Sequence, residues 1–154
     1  MSQNPNQFQQ APIPGQLDLQ VAAEGLLSGQ LAASVSGSLV AGTPVKLDST
    51  NTGPVPKFVL ADDDDAVVFH IIYQDKQASF AAGDPVTVAG LAGPVIWGVA
   101  DDAIVPGETL EQANTTFKYA PINTHKARGI ALDPAAADGD LFRLILMPPA
   151  ALAS

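Results

Sequence analysis

With 154 residues and no Cys, the chain is large enough to bury about two-thirds of its unfolded surface without a metal or disulfide. The lack of thiols removes disulfide scaffolds, zinc–cysteine sites and thiol nucleophiles, and leaves the redox compartment open. Sixteen acids against seven Lys and Arg give a net charge of −9, and so few cations disfavour direct binding of nucleic acid, which needs basic side chains to displace counterions.

Residues 1–20 stand apart in composition. They hold six Gln, two Asn and three Pro, no Lys or Arg, and one acid, Asp18. Such a segment has too little apolar surface to offset its own ordering entropy, so it reads as an extended N-terminal arm. Isolated, it is a tail; against a neighbouring subunit, Phe8, Ile13, Leu17 and Leu19 would serve as apolar pegs and the unpaired backbone would add as a strand. No basic stretch precedes an apolar core, and Val21 to Gly42 is interrupted by Glu24, Gln30, Ser and Gly, so neither a signal peptide nor a membrane span is expected.

Residues 21–149 read as a single β domain, followed by a short tail, 150–154. Thirteen Gly and thirteen Pro beside an apolar fraction of 47% suit short strands joined by tight turns. Val21 to Val40 is expected to be irregular with one or two short strands. From Val40 the strand signals are denser: Val45 and Leu47 flank Lys46, Val55 to Leu60 is a strand whose start Pro54 and Pro56 push to an edge, and Asp62 to Asp65 is an acidic turn. Ala66 to Tyr73 is apolar on both faces, which requires cover on both. In Phe80 to Ala100, Gly83-Asp84-Pro85 turns into Val86 and Val88, and Val95, Trp97 and Val99 share the next strand face. Ala113 to Arg128 is polar and poor in periodicity. Gly129 to Leu132 is a short strand, and in Leu141 to Met147 Phe142, Leu144 and Leu146 oppose Leu141, Arg143 and Ile145. The units at Gly42-Thr43, Gly83-Asp84, Gly107-Glu108 and Gly139-Asp140 share one pattern, glycine then an oxygen-bearing side chain then an apolar strand, at uneven spacings that exclude a fixed-period solenoid. The fold class is all-β: a small β-barrel, β-tulip or jelly-roll-like sandwich.

Catalytic and ligand-binding signatures are scarce. Asp62 to Asp65 lacks the alternating ligands and distal Glu of a calcium loop and reads as a solvated turn. His70 and His125 show no metal-binding spacing; His70, on an apolar strand, reads as a core residue and His125 as a loop residue. No nucleophile elbow, phosphate loop or dinucleotide fingerprint is present. We expect no enzyme activity, no catalytic residues, no cofactor and no metal. Trp97 reads as core. Lys118, Lys126 and Arg128 bring cations together in an otherwise acidic chain and form a candidate patch for an acidic partner.

Four stretches in order, Leu39 to Leu47, Ala66 to Tyr73 with Ala78 to Val88, Ile104 to Leu110, and Gly129 to Ile145, resemble the capsid decoration (cement) proteins of tailed bacteriophages. The resemblance covers roughly Leu39 to Pro148. It implies a compact β-barrel or tulip-like domain, a homo-oligomer with a trimer favoured, made in the host cytoplasm and bound to the major capsid protein on the outside of the virion head where capsid subunits meet. It implies no catalytic residues and transfers no individual contact residue. Two other readings compete: a sugar- or peptide-binding module of a virion accessory or fibre protein, with Trp97, Tyr73 and Tyr119 exposed around a concavity, and a small β-barrel enzyme in which Asp84, Asp101 or Asp102 converge as acid and base.

Overall fold

The computed structural model describes residues 14–16, 26–65, 67–73, 76–89, 94–113 and 118–146. Among them there are twelve strands and no helix. The first half of the chain supplies β1 (Leu26–Leu31), β2 (Ser38–Val40), β3 (Pro44–Leu47), β4 (Lys57–Leu60), β5 (Phe69–Ile71), β6 (Ser79–Ala81) and β7 (Pro85–Ala89). The second half supplies β8 (Val95–Ala100), β9 (Thr109–Gln112), β10 (Lys118–Pro121), β11 (Ala127–Ala131) and β12 (Leu141–Leu146). The region read as a single β domain contains two closed barrels, β1-β4-β3-β5-β7 and β10-β8-β12-β11-β9, with β2 and β6 paired as a separate ribbon. The fold is thus all-β and barrel-built, as the turn-rich alternation predicts.

The barrels repeat one connectivity, strand for strand. Each closes with a single parallel pair, β1 with β4 in one and β8 with β10 in the other, and every remaining ladder is antiparallel. In chain order β1, β3, β4, β5 and β7 correspond to β8, β9, β10, β11 and β12. The loop hydrogen bonds agree: Gly42 donates to the Ile71 carbonyl as Gly107 does to Ala131, Leu31 to Asp84 as Ala100 to Asp140, and Asp48 to Lys57 as Ala113 to Lys118. Even the β2–β6 ribbon has a counterpart, reduced to one bridge between Ile104 and Ala135. The recurring Gly units are therefore two pairs, Gly42 with Gly107 and Gly83 with Gly139. Uneven loop lengths hide the period.

The unit itself is a β-turn with the glycine at its third position. Gly42, Gly83, Gly107 and Gly139 all have φ between +85° and +91°, a region that costs an L side chain strain and glycine none. At three of the four the acid after the glycine closes the turn twice: its N–H donates back to the residue three before it, and its carboxylate accepts the N–H of that same residue, as for Asp84 with Ala81, Glu108 with Val105 and Asp140 with Ala137. Asp65 and Asp62 make the same reciprocal pair without a glycine, at 2.6 and 3.2 Å.

Inside, alternation places Val45, Phe58, Phe69, Ile71, Val86 and Val88 in the first core, and Ile96, Leu110, Tyr119, Phe142, Leu144 and Leu146 in the second. Ile72 and Ala89, from the first barrel, belong to the second barrel's core, so the two share a seam. Two expectations need correction. The regular strand within Ala66 to Tyr73 is only Phe69–Ile71, and Val67 is 50% exposed. The polar stretch 113–128 holds β10 and the start of β11, with Tyr119 inside the barrel.

Candidate functional site

The seam between the barrels gathers most of the unusual side chains. Arg128 on β11 is 4% exposed and extends into the turn after β4. Its guanidinium donates to the carbonyl of Asp65 at 2.8 Å, of Asp63 at 2.9 Å and of Asp62 at 3.1 Å. Burial works against its charge, and the field of Asp65, followed by Tyr119, Asp63 and Asp64, works for it. The acidic run is a turn with Asp62 and Asp64 exposed, as expected, and its backbone is also a docking point for the second barrel. Lys46 pairs with Asp65 at 2.9 Å. Burial would raise the Asp65 carboxyl, but the Asp62 N–H and Lys46 outweigh it and hold it below the usual range. Asp63 is shifted upward by its hydrogen bond with Asp62 and then by burial, with His125 opposing.

On the other side of the seam, Glu111 of β9 accepts the N–H groups of Asn123, Thr124 and His125 at 2.8–3.0 Å. These three bonds outweigh its burial and keep it ionised. They pin the loop that presents His125, whose Nε2 and Nδ1 each lie 3.5 Å from a carboxylate, of Asp63 and Asp64 respectively. One ligand atom from each of the three lies within 4.8 Å of the others, a spacing that could chelate one cation. Arg128 and Lys46 already bring two positive charges to this turn, so the trio is accounted for as a charge cluster. No sequence spacing could disclose it, since Asp63 and His125 meet only through the fold.

Deeper in the seam, His70 of β5 is 2% exposed and its ring lies 6.0 Å from that of Tyr119. Burial, and then the Arg128 charge, push the imidazole down to about 3, so His70 is neutral near pH 7. Burial pushes the Tyr119 phenol up. Among the described residues neither His70 nitrogen, nor the Tyr119 hydroxyl, nor the Gln112 amide has a hydrogen-bond partner.

The three described residues of the arm also lie at the seam. Gly15 donates to the Trp97 carbonyl and Trp97 donates to Gln16, both at 2.8 Å, while the Tyr73 N–H donates to Gly15 at 3.0 Å. Two arm residues thus face one residue of β8, the geometry of a G1 bulge with glycine at φ +76°. The arm adds to β8 and touches the first barrel at the same point. A Cβ at Gly15 would strike the backbone of Gly42, Ile71 and Ala41.

The sequence-predicted partner residues are not brought together. Phe8, Ile13, Leu17 and Leu19 lie outside the described residues. Lys118, on β10, pairs with Asp138 at 2.6 Å, and Lys126 is half-buried just before β11. Arg128 is a correction: spent inside the chain, it presents no charge to a partner. The aromatic platform is corrected too, because Tyr119 is 1% exposed and packs edge-on against Phe142. Trp97 is half-buried with the Arg143 guanidinium 5.9 Å from its ring centre, and Tyr73 packs on the first core. Asp84 caps its turn, and Asp102 binds the Ala103 N–H at 2.7 Å. A depression of about 480 Å³ between Ser34, Asp48, Asn51 and Lys57 is lined by neither of these nor by Asp101. Sequence reasoning missed a scatter of exposed apolar side chains over both barrels, including Leu47, Leu60, Val67, Val105 and Ile122 at 45–60% exposure.

No protein-family profile and no curated protein matches the chain. Among solved structures, the chain is similar in fold to the N base of the head fibre gp8.5 of bacteriophage phi29, at 14% sequence identity and a TM-score of 0.54, over 79% of this chain and 93% of that one.

Proposed function

We propose that this protein is a structural, non-enzymatic component of a phage virion that binds the major capsid protein on the outside of the head, at junctions between its subunits, and stabilises the shell. The observation that carries the reading is the fold likeness to the base of a phage head fibre, which takes in 93% of that chain. The surface chemistry agrees with it. Apolar side chains such as Leu60 and Val67 on the first barrel and Val105 and Ile122 on the second offer small docking contacts, and a net charge of −9 keeps free copies apart before assembly. A ligand that binds only the assembled lattice stabilises it by linkage, about 2.7 kcal/mol per site at a hundred times its Kd. Assembly as a trimer would add avidity to each contact. The description of the neighbour as a fibre base favours a second reading, a module that seats on the head and carries an accessory part without strengthening the shell.

Co-sedimentation with expanded, undecorated heads of the matching phage, followed by heating of the complexes, separates the two. Saturable binding at a fixed ratio to capsid subunits with a raised disruption temperature is the expected outcome. Binding that leaves the disruption temperature unchanged supports the base reading, and a folded protein that does not bind overturns both.

A further inference from the structure

The equivalence of the barrels exposes a difference between them. In β8 the N–H and C=O of Trp97 point away from β12 and are taken by Gln16 and Gly15. The residue of β1 in the same place is Ser28: Gly29 pairs with Val86 as Gly98 pairs with Phe142, and Leu31 pairs with Phe58 as Ala100 pairs with Tyr119. β1 meets β4 only at Gln30 and Leu31. Among the described residues, the outward N–H and C=O of Ser28 therefore have no backbone partner, and beside them Leu26 is 43% exposed. An open strand edge with an exposed apolar neighbour is a template for strand addition.

The arm carries a second copy of what fills the β8 edge. Pro14-Gly15-Gln16 is preceded by Pro5-Asn6-Gln7, in each case followed by an apolar residue, Leu17 and Phe8. Gly15, in the middle of Pro14-Gly15-Gln16, takes a positive φ, a conformation that Asn tolerates better than other side-chain-bearing residues. Glycine is obligatory at 15 because the wall of the other barrel leaves no room for a Cβ. At β1 Ser28 is exposed, so the larger Asn fits.

We propose that the open edge of β1 at Leu26 to Ser28 is a strand-addition site whose occupant is the Pro5-Asn6-Gln7 segment of the same molecule, bulged opposite Ser28 as Gly15-Gln16 is opposite Trp97. Reach and tethering decide for the same molecule. Gly15 sits against Ile71; Ile71 pairs with Val88, and Val88 with Leu27. From Gly15 the slot beyond β1 is thus about four strand spacings away round the barrel, roughly 19 Å, and the six residue steps from Phe8 to Pro14 span up to about 20 Å. A tether that matches its span gives an effective concentration in the millimolar range. The inference does not depend on the virion role, since it concerns the protein alone in solution.

Amide hydrogen exchange at Ser28 tests it, in the full chain and in a chain lacking residues 2–9, with Trp97 as internal control. The expected result is a Ser28 amide at least about tenfold slower in the full chain than in the truncated one, with Trp97 slow in both. Asn6→Gly should keep the protection and Asn6→Ile should lose it, because a β-branched residue resists positive φ. Equal Ser28 exchange in full and truncated chains overturns the proposal. Protection that appears only as copies associate at high concentration overturns it in favour of a second copy as donor.

Discussion

Gly29 and Gly98 show how single positions are set by the barrels. Each lies across from an aromatic ring on the strand paired in parallel: a Cβ at Gly98 would come within 2.7 Å of a Leu144 methyl and 3.0 Å of the Tyr119 ring, and one at Gly29 within 2.7 Å of the Phe58 ring as well as against the Pro56 carbonyl. Neither has positive φ, so the constraint is space alone. Gly98→Ala and Gly29→Ala are expected to lower the unfolding free energy by about 1–3 kcal/mol each, the usual cost of overpacking a full core, read from urea midpoints at constant slope. Gly29 should be the worse of the two, since its obstacle includes backbone. These glycines were visible in the sequence, but their role was not: nothing in Leu-Ser-Gly-Gln or Trp-Gly-Val reports a ring on a strand some twenty or more residues away. Leu144 and Phe142 were legible because simple alternation decides their face. Arg128 was not, as its acceptors lie on the other barrel and only the fold brings them near.

The turn before β12 illustrates the element scale. Gly139 has φ +91° and open space around it, the opposite case to Gly98. Gly139→Ala should cost about 1–2 kcal/mol through backbone strain, and Gly139→Asn less, because Asn enters the left-handed region more readily; thermal unfolding of the three chains checks the order. The Gly-acid units were readable as turns because glycine and a following carboxylate carry their own mechanism. Their pairing into two equivalent sets was not, because equivalence rests on strand register, and loops of different length separate the copies. β5 was over-extended in the sequence reading for a related reason: apolarity on both faces signals cover, and the cover over Ile72 is the second barrel's core rather than a longer sheet.

For the whole molecule, the seam makes stability sensitive to pH through His70. Its folded pKa is about 3 against 6.5 for the free side chain, so between those values the unfolded chain binds a proton that the folded chain refuses. Stability is full above pH 6.5 and falls as pH drops through this window, by up to about 1.4 kcal/mol per pH unit. Glu111 and Asp65, whose carboxyls are held low, add stability above their unfolded values and lose it only as pH falls further, through their folded pKa values. Urea midpoints between pH 7 and 5 should therefore decline in the native chain and flatten in His70→Leu. An unchanged slope in the variant would place the sensitivity elsewhere.

The arm's entry point has a mechanical consequence. Gly15 and Gln16 bond to β8 of one barrel while Gly15 also accepts from Tyr73 beside the other. A pull on the N-terminal segment is therefore not borne by a hinge or a single hairpin. It loads backbone hydrogen bonds to both barrels at once, across the seam that Arg128 also spans. A load applied through such an arm would be resisted by the two barrels as one body, yielding only when both release Gly15 and Gln16.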